Sequence, residues 1–292
     1  MRYRHFGLTG KAVSAVSLLL EETAELSSPE DWRALIFAAM ENGVNCFDLP
    51  AGAEPIERAM ADALRAVERR LLFVISRVYG DVRQPMDAAR LAERVRESLG
   101  RTGAGVFDVL MLDEAAVATL TDDARELLAE LRAGGVVVQV GASGEAGAER
   151  TIGVEPFGVL ATPFNLTSGW TERRRLRDAS DANMVNVSYD PAPAEMLRRP
   201  TSASGPGRRN PLAGAGTYAF LHETRGWSAE ELCLAYALTE PSLATVLCRA
   251  TRAEHLAILA AVTERDPPTG LGAQIEMARF RQGADDGHRR RA

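Results

Sequence analysis

Two apolar rhythms alternate along the chain. Short, nearly continuous apolar runs occur at Val13–Leu20, Val44–Phe47, Leu71–Ile75, Val106–Leu112, Val136–Val140, Gly158–Ala161, Asn183–Val187 and Leu243–Leu247. Runs of this kind predict parallel strands covered on both faces. Between them lie segments with apolar residues three or four apart, such as Trp32, Leu35, Ile36 and Met40, or Leu91, Val95 and Leu99. That spacing gives one apolar helix stripe facing a sheet. Punctuation agrees with it. Ser28-Pro29-Glu30 reads as a capped helix start, Asn42-Gly43 as a helix stop, and Ser228 as another cap with Glu230 and Glu231 in the following turn. A Gly7-Leu8-Thr9-Gly10 turn sits between two short extended pieces from Arg2 to Lys11, a small hairpin. Eight strands alternate with helices and no linker interrupts them. The pattern predicts an α/β protein, a single (β/α)8 TIM barrel with an N-terminal β-hairpin cap. The barrel is expected over residues 1–266. A C-terminal tail, partly mobile, is expected over 267–292 after Pro267-Pro268 and ends in the basic run His288 to Arg291.

Composition narrows the chemistry. Hydrophobic content of 46% is ample for a core, and a net charge of -6 disfavours nucleic acid or an anionic membrane as main partner. Lys11 is the single lysine, so a mid-chain Schiff base is excluded. Cys46, Cys233 and Cys248 are few, odd in number and far apart; they read as buried free thiols in a cytoplasmic protein. His5, His222, His255 and His288 have no second ligand at metal-binding spacing, so no metal is expected. Val13–Leu20 is too short and too serine-rich for a membrane span.

Candidate chemistry gathers where strands end, because barrel sites are built at the C-terminal ends of strands. Asp48 closes the run Val44–Phe47, just before Pro50 and Gly52. Gly141, Gly144 and Gly147 follow the fifth strand and suit a phosphate cradle, or simply a tight turn. Trp170 reads as a pocket wall or as a helix anchor, and Arg173-Arg174-Arg175 as a solvated helix face. From Pro191 to Gly216 the pattern lapses into Pro, Gly and Ser, which marks a functional or disordered loop.

Several of these segments resemble the aldo-keto reductase family. Tyr3 to Ser14 is similar to its N-terminal hairpin, and Glu41-Asn42-Gly43-Val44-Asn45-Cys46-Phe47-Asp48 to the segment ending in its catalytic aspartate. Glu97 to Thr102 with Phe107-Asp108-Val109, Pro163-Phe164-Asn165-Leu166, and Ser228 to Leu238 match further repeats. The resemblance implies carbonyl reduction with NADPH by an Asp, Tyr, Lys and His tetrad. Carried over, the aspartate falls on Asp48, but Ala53 stands at the tyrosine position, Arg77 at the lysine and Asp113 at the histidine. Of the cofactor contacts, the resemblance puts Ser143, Asn165, Tyr189 as a stacking ring and Arg252 as a phosphate ligand in place. It puts Gly144 where asparagine belongs, Ala161 where glutamine belongs, and Ile258-Leu259 where Glu-Asn should hold adenine.

Asp48, Arg77 and Asp113 should therefore face the barrel mouth together, either as a rewired acid/base site or as a salt-bridged remnant. Tyr79, two residues beyond Arg77, is a candidate substitute proton donor or a packing tyrosine. Three functions remain open from the sequence. The first is a small-molecule-binding barrel that has lost ordinary carbonyl reduction, as a pseudoenzyme or with altered acid/base chemistry. The second is an NAD(P)H-dependent oxidoreductase with substituted donors. The third is a non-enzymatic scaffold or regulatory subunit with a protein partner.

Overall fold

A computed structural model describes residues 1–198 and 218–279. In chain order the elements are β1 (Tyr3–His5), β2 (Ala12–Ser14), β3 (Val16–Leu19), α1 (Pro29–Glu41), β4 (Cys46–Pro50), α2 (Glu54–Ala66), β5 (Phe73–Val78) and α3 (Ala88–Thr102). There follow β6 (Phe107–Leu112), α4 (Glu114–Ala118), α5 (Asp122–Ala133), β7 (Val137–Ser143), α6 (Ala146–Glu149), β8 (Phe157–Pro163) and α7 (Trp170–Asp181). The last described elements are β9 (Val185–Tyr189), α8 (Ala194–Leu197), α9 (Ala229–Leu238), β10 (Leu243–Cys248) and α10 (Ala253–Ala261). Strands β3 to β10 close a parallel barrel in sequence order, and β1 pairs antiparallel with β2 as a separate hairpin. Among the described residues no helix is long and apolar enough to cross a membrane.

The barrel interior is a cluster that includes Cys46, Phe73, Ile75, Val109, Met111, Val159, Val187 and Leu247. A second apolar layer fills the space between sheet and helices, with Trp32, Ile36, Phe47 and Met60 fully or almost fully buried. The three cysteines are buried free thiols, and burial pushes that of Cys46 up.

The hairpin plugs the N-terminal end of the barrel. Phe6 is fully buried against Phe73, with ring centroids 4.4 Å apart. Burying such a ring contributes about 1.5–3 kcal/mol. Lys11 is paired with the buried carboxylate of Asp108, whose other oxygen accepts from Arg69 and from the backbone of Val74, both at 2.8 Å. The run Val13–Leu20, expected as one strand, is divided. Its first residues pair with β1, and the barrel strand begins at Val16. Asn45 makes the division: its Oδ1 accepts from the Ser14 amide at 2.7 Å and its Nδ2 donates to Ala12 O at 2.9 Å.

Helix starts follow the sequence. Ser28 accepts from the Asp31 amide at 3.1 Å, and Asp31 returns a bond to the Ser28 amide. Residues 271–279 of the expected tail form a helix, with Leu271, Ile275 and Ala278 buried against the barrel side. The loop expected to extend to Gly216 lies, from 199 on, outside the described residues, as does the basic end after 279.

Candidate functional site

Asp48 and Arg77 come from neighbouring strands, and both point into the barrel. Asp48 lies opposite Ile75, and Arg77 sits one interior layer above, opposite Pro50 and Met111. Both side chains are buried. The guanidinium makes a two-pronged contact, Nε to Asp48 Oδ1 at 3.0 Å and Nη2 to Oδ2. Such a fork satisfies both carboxylate oxygens at once, which a lysine ammonium does not do. Burial raises the Asp48 carboxyl above its usual range despite the opposing pull of Arg77. Burial works against the charge on Arg77, and Asp48 more than restores it. The pair is thus a sealed floor beneath the mouth.

Asp113, expected to join that pair, is occupied elsewhere. It is the N-cap of α4, and its Oδ1 accepts from the Ala116 amide at 2.8 Å and the Gly80 amide at 2.9 Å. Gly80 is needed there: a Cβ on it would lie 2.2 Å from the Ala116 nitrogen. The local motif, an aspartate before Glu-Ala-Ala, is a helix-start signal, and capping keeps the carboxylate off the Asp48–Arg77 pair.

The next residue, Glu114, settles the fate of the glycine cradle. Its carboxylate accepts from the amides of Gly147 at 2.6 Å and Glu145 at 3.2 Å. A Cβ on Gly147 would lie 2.6 Å from Glu114 Cγ, so glycine is what admits the side chain. The cradle expected for a phosphate is filled by the chain's own carboxylate. Glu114 had no part in the sequence reading; its proximity to a loop more than thirty residues away has no local signature.

Above the floor opens a cleft of ≈ 230 Å³ lined by Arg77, Tyr79, Asp113, Ser143 and Tyr189, with Glu21 and Arg249 on its rim. Tyr79 is 43% exposed, and burial of its remainder pushes the phenol up to about 12, against the pull of Arg77. Tyr189 is likewise pushed up to about 12 by burial, with Arg77 and a hydrogen bond accepted from Ser143 opposing. Across the rim, Arg249 bridges Glu21, at 2.6 and 3.1 Å, and Asp190. Burial works against the Arg249 charge, and Glu21 with Asp190 more than restores it. This clasp ties the ends of β3, β9 and β10 together.

The remaining expected contacts scatter. Asn165 organises its own loop, accepting from Thr167 at 2.9 and 2.6 Å and donating to Asp190 O at 3.3 Å. Arg252 is exposed at the start of α10, with no side-chain hydrogen bond or ion pair among the described residues, while neighbouring Thr251 donates to Glu25 at 2.6 Å. Ala53 caps α2 without a side-chain bond, and Ala161 is buried in the barrel interior. Trp170 is neither a pocket wall nor an anchor: it is 72% exposed, with the Arg174 guanidinium 5.2 Å above its ring. Nor is the arginine run a solvated face throughout. Arg175 is buried, donating to Thr162 at 3.1 Å and Glu149 at 3.3 Å, and Arg173 donates to the Tyr236 hydroxyl. Among the described residues no group of His, Cys, Asp or Glu side chains is placed to hold a metal ion.

Comparison with known proteins sets this geometry in context. The model of the aldo/keto reductase family matches residues 19–267. An aldo-keto reductase from Bacillus halodurans in its holo form superposes with a TM-score of 0.77 at 18% identity, covering 95% of this chain and 96% of that one. The apo form gives 0.73 at 17% identity, with 95% and 96% covered. An aldo-keto reductase from Klebsiella pneumoniae in complex with NADPH gives 0.73 at 18% identity, covering 95% of each chain. No curated protein matches in sequence.

Proposed function

The chain belongs to the aldo/keto reductase family, and from that premise we propose that it no longer reduces carbonyls and serves as a small-molecule-binding barrel, a pseudoenzyme. One observation carries the reading: the buried fork between Arg77 and Asp48 stands where a lysine and aspartate would tune a proton donor. Carbonyl reduction needs an acid poised near the working pH, close to the accepting oxygen. Arginine stays charged at any such pH and passes no proton. Ala53, at the position resembling the tyrosine's, has no proton to give.

The residues present do not fit NADPH well. Ser143 is bonded to Tyr189, Asn165 is spent on its loop, and Ala161 offers the nicotinamide amide no polar atom. Beside Arg252, Thr251 donates to the Glu25 carboxylate, a negative charge unfavourable to a phosphate there.

A second reading, an NAD(P)H-dependent oxidoreductase with Tyr79 as donor, has one observation in its favour: Tyr79 lines the same cleft as Arg77. Against it, the phenol is pushed up to about 12, away from the range of an efficient acid.

The test is an NADPH-dependent assay on a panel of simple aldehydes, with NADPH titrated by tryptophan quenching and calorimetry. The expected result is turnover indistinguishable from the blank and a flat titration. Robust aldehyde reduction overturns the proposal.

A further inference from the structure

We infer that the ligand of the barrel mouth is a small organic cation, an ammonium or guanidinium of fragment size, held between Tyr79 and Tyr189 in an acid-rich cleft. The inference rests on the reading that the mouth binds a small molecule without hydride transfer, and it names that molecule's chemical class.

The lining carries the carboxylates of Glu21, Asp113 and Glu114 against the guanidinium groups of Arg77 and Arg249. Both arginines are already paired with carboxylates. Arg77 is spent on Asp48 below, and Arg249 is shared by Glu21 and Asp190. Adding Asp48 and Asp190 behind the lining leaves acids in excess over bases. Backbone amides at Gly80, Ala116, Glu145 and Gly147 hold the carboxylates of Asp113 and Glu114 in place. Such amides fix where the carboxylates sit without adding a positive side chain. A concave, low-dielectric mouth focuses the resulting negative potential.

Shape and surface point the same way. Two phenol rings share this cleft, and Tyr79 is 43% exposed. Aromatic faces beside carboxylates recognise ammonium and guanidinium groups, because the ring quadrupole attracts a cation and tolerates its loss of water. The volume of ≈ 230 Å³ is small. It falls below the roughly 300 Å³ at which pockets for drug-sized ligands begin. A nicotinamide dinucleotide phosphate is both too large for the cleft and of the wrong charge for its walls.

The test titrates the full chain calorimetrically with tetramethylammonium chloride. Sodium acetate and tert-butanol serve as the anionic and neutral probes of similar size, at constant ionic strength. The expected result is saturable binding of tetramethylammonium, roughly tenfold tighter than either control. Tyr79→Ala should weaken it roughly threefold to fivefold, and Tyr79→Phe, which keeps the ring, should restore it. Asp113→Asn keeps a good helix cap but removes a charge, and should weaken binding roughly twofold to fivefold. Equal or tighter binding of acetate or tert-butanol, or binding of none of the three, overturns the inference. Aldehyde turnover with NADPH would overturn the parent reading whatever the titrations give. A flat tetramethylammonium titration without turnover overturns this inference alone.

Discussion

Arg77→Met tests whether the Asp48–Arg77 pair is a sealed structural unit. The two donors that Arg77 supplies are the side-chain hydrogen bonds to the Asp48 carboxylate, and Asp48 is fully buried. Removing one member of a buried pair strands the other, at a cost of about 3–5 kcal/mol. A second route gives the same scale. The stranded carboxyl escapes by taking up a proton, and holding a group of unfolded pKa about 3.9 protonated at pH 7 costs about 4 kcal/mol, at about 1.4 kcal/mol per pH unit. At pH 5 the same escape costs only about 1.5 kcal/mol. The sign follows from linkage. A carboxyl raised above its unfolded value stabilises fully below that value, and its contribution is lost as pH rises. The penalty of Arg77→Met should therefore shrink on acidification. Urea denaturation of wild type, the single variant and the Asp48→Leu/Arg77→Met double variant, at both pH values, measures it. The double variant buries no charge and should lie within about 1 kcal/mol of wild type or above it. A single-variant penalty under about 1 kcal/mol at pH 7, or one unchanged at pH 5, refutes the reasoning.

Three further outcomes are expected. Glu114→Ala leaves the Glu145 and Gly147 amides without their acceptor and should cost about 1–3 kcal/mol; inorganic phosphate should then raise the melting temperature of the variant and not of wild type, and an equal response in both would count against a filled cradle. Phenolate absorbance should show Tyr79 and Tyr189 ionising at about 12, because burial disfavours the charged form. Since both folded values are raised, their contribution to stability should fade as pH climbs from about 10 towards those values, and early ionisation of both rings would contradict the burial described. Ser28→Ala removes half of a reciprocal cap on α1 and should cost about 1 kcal/mol, a melting shift of about 2–4 °C; differential scanning calorimetry decides, and an unchanged melting point would mean the cap is solvated away.

The barrel was legible because parallel strands buried on both faces leave continuous apolar runs that helical spacing separates. What escaped was the boundary inside Val13–Leu20. Apolar content is uninterrupted there, and the switch from hairpin to barrel is made by Asn45, more than thirty residues away. Asp48 and Arg77 were legible as a pair because both fall on inward positions of adjacent strands, so alternation alone brings them together. The same logic failed for Asp113. Its side chain had a nearer use, the open amides of α4, and local capping prevailed over a longer reach. The clasp of Glu21, Arg249 and Asp190 was not legible at all. Each residue ends a strand, but which acid an arginine chooses across 228 positions depends on barrel closure, not on local pattern.

The choice of arginine over lysine under the mouth has a consequence for where specificity resides. A lysine beside Asp48 would leave one carboxylate oxygen open and would carry a proton whose release burial makes easier. The guanidinium fork closes both oxygens and keeps its proton, so Asp48 presents no open oxygen to a ligand. In the proposed binding role, recognition would fall to side chains at strand ends and loop starts: Tyr79, Asp113, Glu114, Tyr189 and the Glu21–Arg249 clasp. These positions contribute little to the barrel interior, which is built of Ile75, Val109, Met111 and Val187. A fold whose floor is locked can still exchange ligands by substitution at the rim, because the residues there are not those that fill the barrel interior.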